Sequence, residues 1–103
     1  MITEIENVEA YKDAISKPTL SVVDFYATWC GPCQMIHPVV EEFSETYTNV
    51  SFYQVDVDNA SEVTKMAGIR CMPTFKFFKN SELVGEFEGA KRDELEEFIK
   101  KNM

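Results

Sequence analysis

The chain has 103 residues, of which 45% are hydrophobic and 27% charged, and its formal net charge is −8. Length and composition predict a single globular domain over residues 1–103 that buries its own core. The acidic balance argues against nucleic-acid binding, which needs a basic face, and no apolar stretch is long enough to span a membrane. Because the acidic N-terminus lacks the pattern of a signal or transit peptide, we expect a cytoplasmic protein in a reducing compartment.

The first half of the chain predicts a buried strand followed directly by a long helix. Asn7 is a candidate N-cap for a first helix, which Pro18 ends. The apolar run Leu20–Ala27 is typical of a central strand buried on both faces. From Cys30 to Tyr47 apolar residues recur at helical spacing, and Pro38 inside this helix is expected to kink it.

The second half predicts a return to alternating elements. In order, these are a strand over Val50–Val57, a helix over Asn59–Ala67 that Gly68 ends, strands over Thr74–Lys79 and Leu83–Glu88, and a last helix with Leu95, Phe98 and Ile99 on its buried stripe. Strand–helix–strand alternation favours a parallel βαβ unit, whereas the short connection between the last two strands favours an antiparallel hairpin. We therefore expect an α/β domain with a mixed sheet and helices on both faces.

The motif Trp29-Cys30-Gly31-Pro32-Cys33 holds two of the three cysteines of the chain. Residues three apart on a helix are surface neighbours, with Cβ atoms about 5–6 Å apart. A disulfide needs Cα atoms about 4.4–6.8 Å apart, so one helical turn can hold this pair as two thiols or as a bond. The motif is therefore a candidate two-electron switch, although a Cys-X-X-Cys pair is also half of many zinc sites.

A zinc site that recruits Cys71 and His37 is the alternative from a different functional class. His37 follows Cys30 by seven residues, which is about 10.5 Å along a helix axis. A compact tetrahedral site with metal bonds of about 2.0–2.3 Å does not span that distance. We predict no metal, and we keep as the alternative function a redox-inert or zinc-binding interaction module on the same fold.

Helix geometry gives the two cysteines different roles. Cys30 is expected to be exposed at the helix N-terminus. Unpaired backbone N–H groups and the helix dipole stabilise a thiolate at that position. Cys33 lies at the edge of the apolar stripe and is expected to be more buried. The order predicted is that Cys30 attacks a substrate disulfide and Cys33 resolves the mixed disulfide. Asp24, the only charged residue of Leu20–Ala27, is a candidate base for Cys33, with a water-exposed strand-end aspartate as the alternative.

Several segments together resemble the thioredoxin family. Val23–Cys33 resembles its active-site segment, Cys71–Phe75 its cis-proline loop, and Val55–Asp58 and Gly85…Gly89-Ala90 also match its pattern. The resemblance covers nearly the whole chain in order. It implies the thioredoxin fold, an α/β fold with a central five-stranded mixed sheet flanked by four helices. It also implies a protein-disulfide reductase that binds no cofactor and serves electron transport and cell redox homeostasis.

The same resemblance implies partners and site residues. Electrons come from NADPH through thioredoxin reductase and pass to disulfide-containing proteins. Cys30 is the nucleophile, Cys33 the resolving thiol, and Asp24 the group that helps to deprotonate Cys33. Gly31 and Pro32 resemble the reducing members of the family, which lack the histidine of the oxidases. Pro73 is expected in cis opposite the cysteines, with the backbone of Met72 free to pair with substrate, and the groove is lined by Trp29, Gly31, Pro32, Gly89 and Ala90.

This chain departs from the family pattern at Gln54 and at the turn Asn80-Ser81, and Cys71 is open to two interpretations. Gln54 stands where many members carry a charged residue near the buried aspartate, which bears on the size of the Asp24 pKa change. Asn80-Ser81 replaces the usual glycine-containing hairpin turn, so we expect a longer or more strained turn. Cys71 is interpreted as a small apolar filler. The alternative is an exposed accessory thiol that links two otherwise monomeric chains.

Overall fold

Strands and helices alternate along most of the chain. The computed structural model describes residues 1–103 and contains β1 (Ile2–Glu4), α1 (Val8–Ile15), β2 (Ser21–Tyr26), α2 (Gly31–Thr46), β3 (Ser51–Asp56), α3 (Ser61–Ala67), β4 (Thr74–Lys79), β5 (Glu82–Glu88) and α4 (Arg92–Asn102). The elements predicted from residue patterns are all present, with ends that differ by a few residues at most. Those patterns did not indicate β1, which is only three residues long and has no buried residue. None of the helices is long and apolar enough to cross a membrane.

The five strands form one mixed sheet in the order β1-β3-β2-β4-β5. Strands β1, β3 and β2 are parallel, whereas β4 is antiparallel to both β2 and β5. The predicted fold, a five-stranded mixed sheet with four helices, is therefore confirmed. The central strand β2 is buried from Ser21 to Phe25, which explains its apolar composition, since helices cover both faces of the sheet.

Two hydrophobic clusters lie on opposite faces of the sheet. One packs α2 and α4 against strands and includes Val22, Ile36, Val40, Phe43, Phe77, Leu95 and Ile99. The other packs α1 and α3 and includes Tyr11, Val23, Phe25, Val55 and Val63. Successive residues of a strand point to opposite faces, so Asp24 shares the α2 face with Val22.

The hairpin between β4 and β5 turns in two residues, because Lys79 pairs with Glu82. Asn80 and Ser81 have φ values of 53° and 64°, the left-handed backbone of a type I′ turn. Their N–H groups donate to the carbonyls of Lys17 and Ile15, both at 2.8 Å. The turn is not longer than usual, but it places a serine in a region that costs free energy without glycine.

Candidate active site

Cys30 is the N-cap of α2. Its backbone is extended, with φ −90° and ψ 112°, and its Sγ accepts the backbone N–H of Cys33 at 3.2 Å. Pro32 lies in the first turn, where a missing N–H breaks no helical bond. The local sequence thus places a sulfur at the positive end of a 16-residue helix, where negative charge is stabilised.

Cys30 and Cys33 form a disulfide, with Cα atoms 5.3 Å apart. Cys33 is the less exposed, at 4% against 6% for Cys30, but both side chains are buried. The prediction of an exposed Cys30 is wrong for this oxidised form. In this form Cys30 packs with Ala27, Cys33 and Met72.

The loop that faces the disulfide offers unpaired backbone groups. The Met72–Pro73 peptide bond is cis, as predicted. The carbonyl oxygen of Met72 lies 3.7 Å from Cys30 Sγ, and neither this carbonyl nor the Met72 N–H makes a backbone hydrogen bond. The Pro73 carbonyl accepts the N–H of Gly89 at 2.8 Å, which ties the loop to the end of β5. An extended chain can therefore pair with Met72 next to the sulfurs.

The surface around the sulfurs contains the other residues predicted to bind substrate. Trp29 is 68% exposed, and its indole Nε1 donates to Asp58 Oδ2 at 2.8 Å. Gly31 and Pro32 are exposed, whereas Gly89 and Ala90 are half-buried. An exposed indole that is held by a hydrogen bond, close to the unpaired backbone groups of Met72, is suited to contact another protein.

Asp24 is 3% exposed, and its Oδ1 has no hydrogen-bond partner. Burial, and secondly the negative charge of Glu4, raise the pKa of Asp24 from its ordinary 3.8 to about 7. The alternative of a water-exposed strand-end aspartate is therefore not what the structure contains. A carboxyl with this pKa can accept and release a proton near neutral pH.

A cavity of about 380 Å³ joins Asp24 to Cys33. It is lined by Asp24, Tyr26, Ala27, Thr28, Cys33, Gln34, His37, Pro38 and Gln54. The volume is many times what one water molecule needs. A proton can therefore pass between the Cys33 thiol, the Asp24 carboxyl and solvent through this space.

His37 lines the same cavity, and its Nε2 lies 3.1 Å from Glu41 Oε1 on the next turn. No group of three or more histidine, cysteine, aspartate or glutamate side chains is arranged to hold a metal ion. The disulfide also occupies the two sulfurs that the zinc alternative requires.

Cys71 is a free thiol, and its side chain is half-buried. It is therefore neither a buried core residue nor a fully exposed thiol.

Three side chains at the sheet edge were not singled out together from the sequence. We call Glu4, Tyr26 and Gln54 the edge cluster. Tyr26 Oη contacts Glu4 Oε1 at 3.1 Å, and Gln54 Nε2 donates to the same oxygen at 2.7 Å. Tyr26 and Gln54 also line the cavity that contains Asp24. Departure from the family pattern at Gln54 was the only sequence signal for this cluster.

Comparison with known proteins gives one consistent family. The profile described as Thioredoxin matches residues 2–101. The thioredoxins of Sus scrofa and Homo sapiens are each 48% identical over 101 residues, 96% of this chain and 96% of theirs. The structure of Plasmodium falciparum thioredoxin superposes with a TM-score of 0.93 at 42% identity, covering 98% of this chain and 99% of that one. The chain therefore belongs to the thioredoxin family of thiol–disulfide oxidoreductases, which reduce protein disulfides, and Cys30–Cys33 is its active-site disulfide.

Proposed function

We propose that this protein reduces protein disulfides in two ordered steps, with Cys30 attacking and Cys33 resolving. The Cys30 thiolate attacks one sulfur of the substrate disulfide, forming a mixed disulfide and releasing one substrate thiolate. The Cys33 thiolate then attacks Cys30 Sγ, which forms the Cys30–Cys33 bond and releases the second substrate thiolate. Two electrons pass from the protein to the substrate.

The observation that carries this order is the position of Cys30 Sγ at the start of α2. It accepts the Cys33 N–H at 3.2 Å, and a thiolate there gains both this bond and the helix dipole. Cys33 is one turn inside the helix and packs against the interior. Gly31 and Pro32 add no charged or histidine side chain beside the nucleophile, which favours a reductant over an oxidant.

Asp24 is the base that we assign to the second step. Burial opposes loss of the proton from Cys33, so a nearby acceptor speeds resolution. The Asp24 carboxyl, with a pKa of about 7, shares the cavity with Cys33. The proton goes from Cys33 to Asp24 and then to solvent through the cavity.

Substrate docks on the loop and groove around the disulfide. The unpaired backbone of Met72 pairs with an extended segment of the substrate, and Pro73 holds that loop against the cysteines. Trp29, Gly31, Pro32, Gly89 and Ala90 form the surrounding surface. Recognition that uses mainly backbone groups suits a protein that acts on many disulfides.

Family membership supports proposals for the electron donor, the cellular role and the oligomeric state. Thioredoxin reductase restores the dithiol with electrons from NADPH, and the protein itself holds no cofactor. We place it in the cytoplasm, in electron transport and cell redox homeostasis. It acts as a monomer, in which Cys71 is available to link two chains.

The test is reduction of insulin disulfides driven by a dithiol, comparing wild type with Cys30→Ser, Cys33→Ser and, as the matched control, Cys71→Ser. We expect no turnover for Cys30→Ser and a mixed disulfide through Cys30 for Cys33→Ser, whereas Cys71→Ser retains activity. Capture of substrate by Cys33 in Cys30→Ser, detected by mass spectrometry, would overturn the order of attack.

A further inference from the structure

The edge cluster holds a carboxylate beside the Asp24 cavity. Glu4 is on the exposed strand β1, yet Tyr26 Oη lies 3.1 Å and 3.3 Å from its two oxygens. Gln54 Nε2 donates to Glu4 Oε1 at 2.7 Å. Burial and the neighbouring Glu4 charge raise the pKa of Tyr26, so its hydroxyl stays protonated and contacts Glu4 as a neutral donor.

Strand register aligns the cluster with Asp24. Glu4 pairs with Gln54 across β1 and β3, and Gln54 pairs with Asp24 across β3 and β2. Paired residues of neighbouring strands lie on the same face, about 4.8 Å apart. Glu4 therefore lies about 10 Å from Asp24, two strand spacings away, along the row that ends at the cavity.

Glu4 takes part in none of the ion pairs of the protein, so no cation is in direct contact with its carboxylate. The titratable groups nearest Asp24 are Glu4 from β1 and Tyr26 from β2, and Cys33 and His37 from α2 line the same cavity, whereas the charge of Asp56, at the end of β3, acts on Tyr26. The Asp56 carboxylate accepts hydrogen bonds from Asp58 and Asn59 in the turn that follows it. On the other side of β2, the residue of β4 that pairs with Asp24 is Phe75, which has no charge. Glu4 is thus the carboxylate that faces Asp24 along the open edge of the sheet.

We infer that Glu4 is a positioning residue for the resolving step, because its fixed negative charge, held by Tyr26 and Gln54, keeps Asp24 a strong proton acceptor. The assignment rests on the base role proposed for Asp24. A proton leaving Cys33 binds the Asp24 carboxylate more tightly when a second negative charge lies nearby. Glu4 touches neither sulfur, so it acts only through Asp24.

The test is Glu4→Gln, which removes the charge and keeps an acceptor for Tyr26. Glu6→Gln is the matched control, since it makes the same change in net charge at an exposed residue that has no part in the cluster. The Asp24 carboxyl is followed by carbon NMR as a function of pH, together with the ring signals of His37. We expect the Asp24 midpoint to fall by about half a pH unit in Glu4→Gln and to stay unchanged in Glu6→Gln.

The pH profile of the resolving step gives a second readout. Its rise should move to lower pH by the same amount in Glu4→Gln. In an Asp24→Asn background, Glu4→Gln should leave the pH profile of the resolving step unchanged. Equal Asp24 midpoints in Glu4→Gln and Glu6→Gln overturn the role of Glu4 and leave the cysteine chemistry intact. A shift that persists without Asp24 also overturns it, because Glu4 then acts on another group. A resolving step whose pH profile ignores Asp24→Asn instead contradicts the base role itself.

Discussion

Asp24 on β2 and Asp56 on β3 are neighbouring buried aspartates with opposite surroundings. Their exposed fractions are 3% and 6%. Asp56 accepts hydrogen bonds from the N–H of Asp58 at 3.0 Å, the N–H of Asn59 at 3.4 Å and Asn59 Nδ2 at 3.2 Å. Asp24 Oδ1 accepts none. Similar burial thus gives one carboxylate that organises a turn and one whose pKa is raised, because hydrogen-bond donors surround the first and Oδ1 of the second has none.

The two sites also differ in where their neighbours come from. Every hydrogen bond to the Asp56 side chain comes from residues two or three positions ahead in the chain. The surroundings of Asp24 come from β1, β3 and α2, including Glu4, Gln54 and Cys33. A local turn stabilises itself as it forms, whereas the environment of Asp24 exists only when the sheet and α2 are assembled.

The largest expected effect is that of Asp24→Asn. The pKa of about 7, against an ordinary 3.8, means that the charged carboxylate costs the folded state about 4 kcal/mol above pH 7. The native state binds more protons than the unfolded state between these values, so wild-type stability falls as pH rises from about 4 to about 7. We expect the substitution to raise the free energy of unfolding by about 2–4 kcal/mol at about pH 8, since the amide is still an unpaired polar group.

Urea denaturation of the oxidised protein measures this gain. At about pH 4 both carboxyl and amide are neutral in the fold, so the two proteins should be nearly equal in stability. A gain of the same size at about pH 4 and about pH 8 would contradict the assigned cause, which is the buried charge.

The matched substitution Asp56→Asn should have the opposite sign. Asparagine keeps an acceptor for the N–H of Asp58, but its amide faces Asn59 Nδ2 as a second donor. We expect a loss of about 1–2 kcal/mol in the free energy of unfolding, because hydrogen bonds to a charged carboxylate are replaced by weaker or missing ones. Disulfide reduction at saturating dithiol should be unchanged. If Asp56→Asn stabilises the protein, the contrast between the two aspartates fails.

The smallest expected effect is that of Asn59→Ala, which removes one donor from Asp56 and leaves both backbone donors. Asn59 is exposed, so little packing is lost. We expect the free energy of unfolding to fall by about 0.5–1 kcal/mol. In an Asp56→Asn background the same change should cost less, which a double-mutant cycle in urea measures. Additive losses would show that Asn59 does not act through Asp56.

Sequence patterns were sufficient where neighbours in space are neighbours in the chain. The spacing of Cys30 and Cys33, with Pro32 between them, predicts a helix start that holds a redox pair, and the structure contains that N-cap. The apolar run around Asp24 likewise predicts a central strand that contains one acidic residue, and the structure shows that this residue is buried. These patterns were insufficient for the exposure of Cys30, because Met72, which packs near its side chain, is 42 residues away in the chain.

The edge cluster shows why the rest required the tertiary structure. Glu4 is 22 residues from Tyr26 and 50 residues from Gln54, and the short strand that carries it has no apolar pattern. Nothing local distinguishes Glu4 from Glu6. Only the pairing of β1 with β3 selects Glu4 as the charge beside the cavity.

The sequence by itself determined the order of the elements, the cysteine pair and the presence of one acidic residue in the central apolar strand, because helix and strand periodicity, capping and spacing are properties of short segments. The tertiary structure decided which of two buried aspartates lacks hydrogen-bond donors and which carboxylate faces it. Desolvation and charge repulsion depend on every group within about 10 Å, whatever its position in the chain.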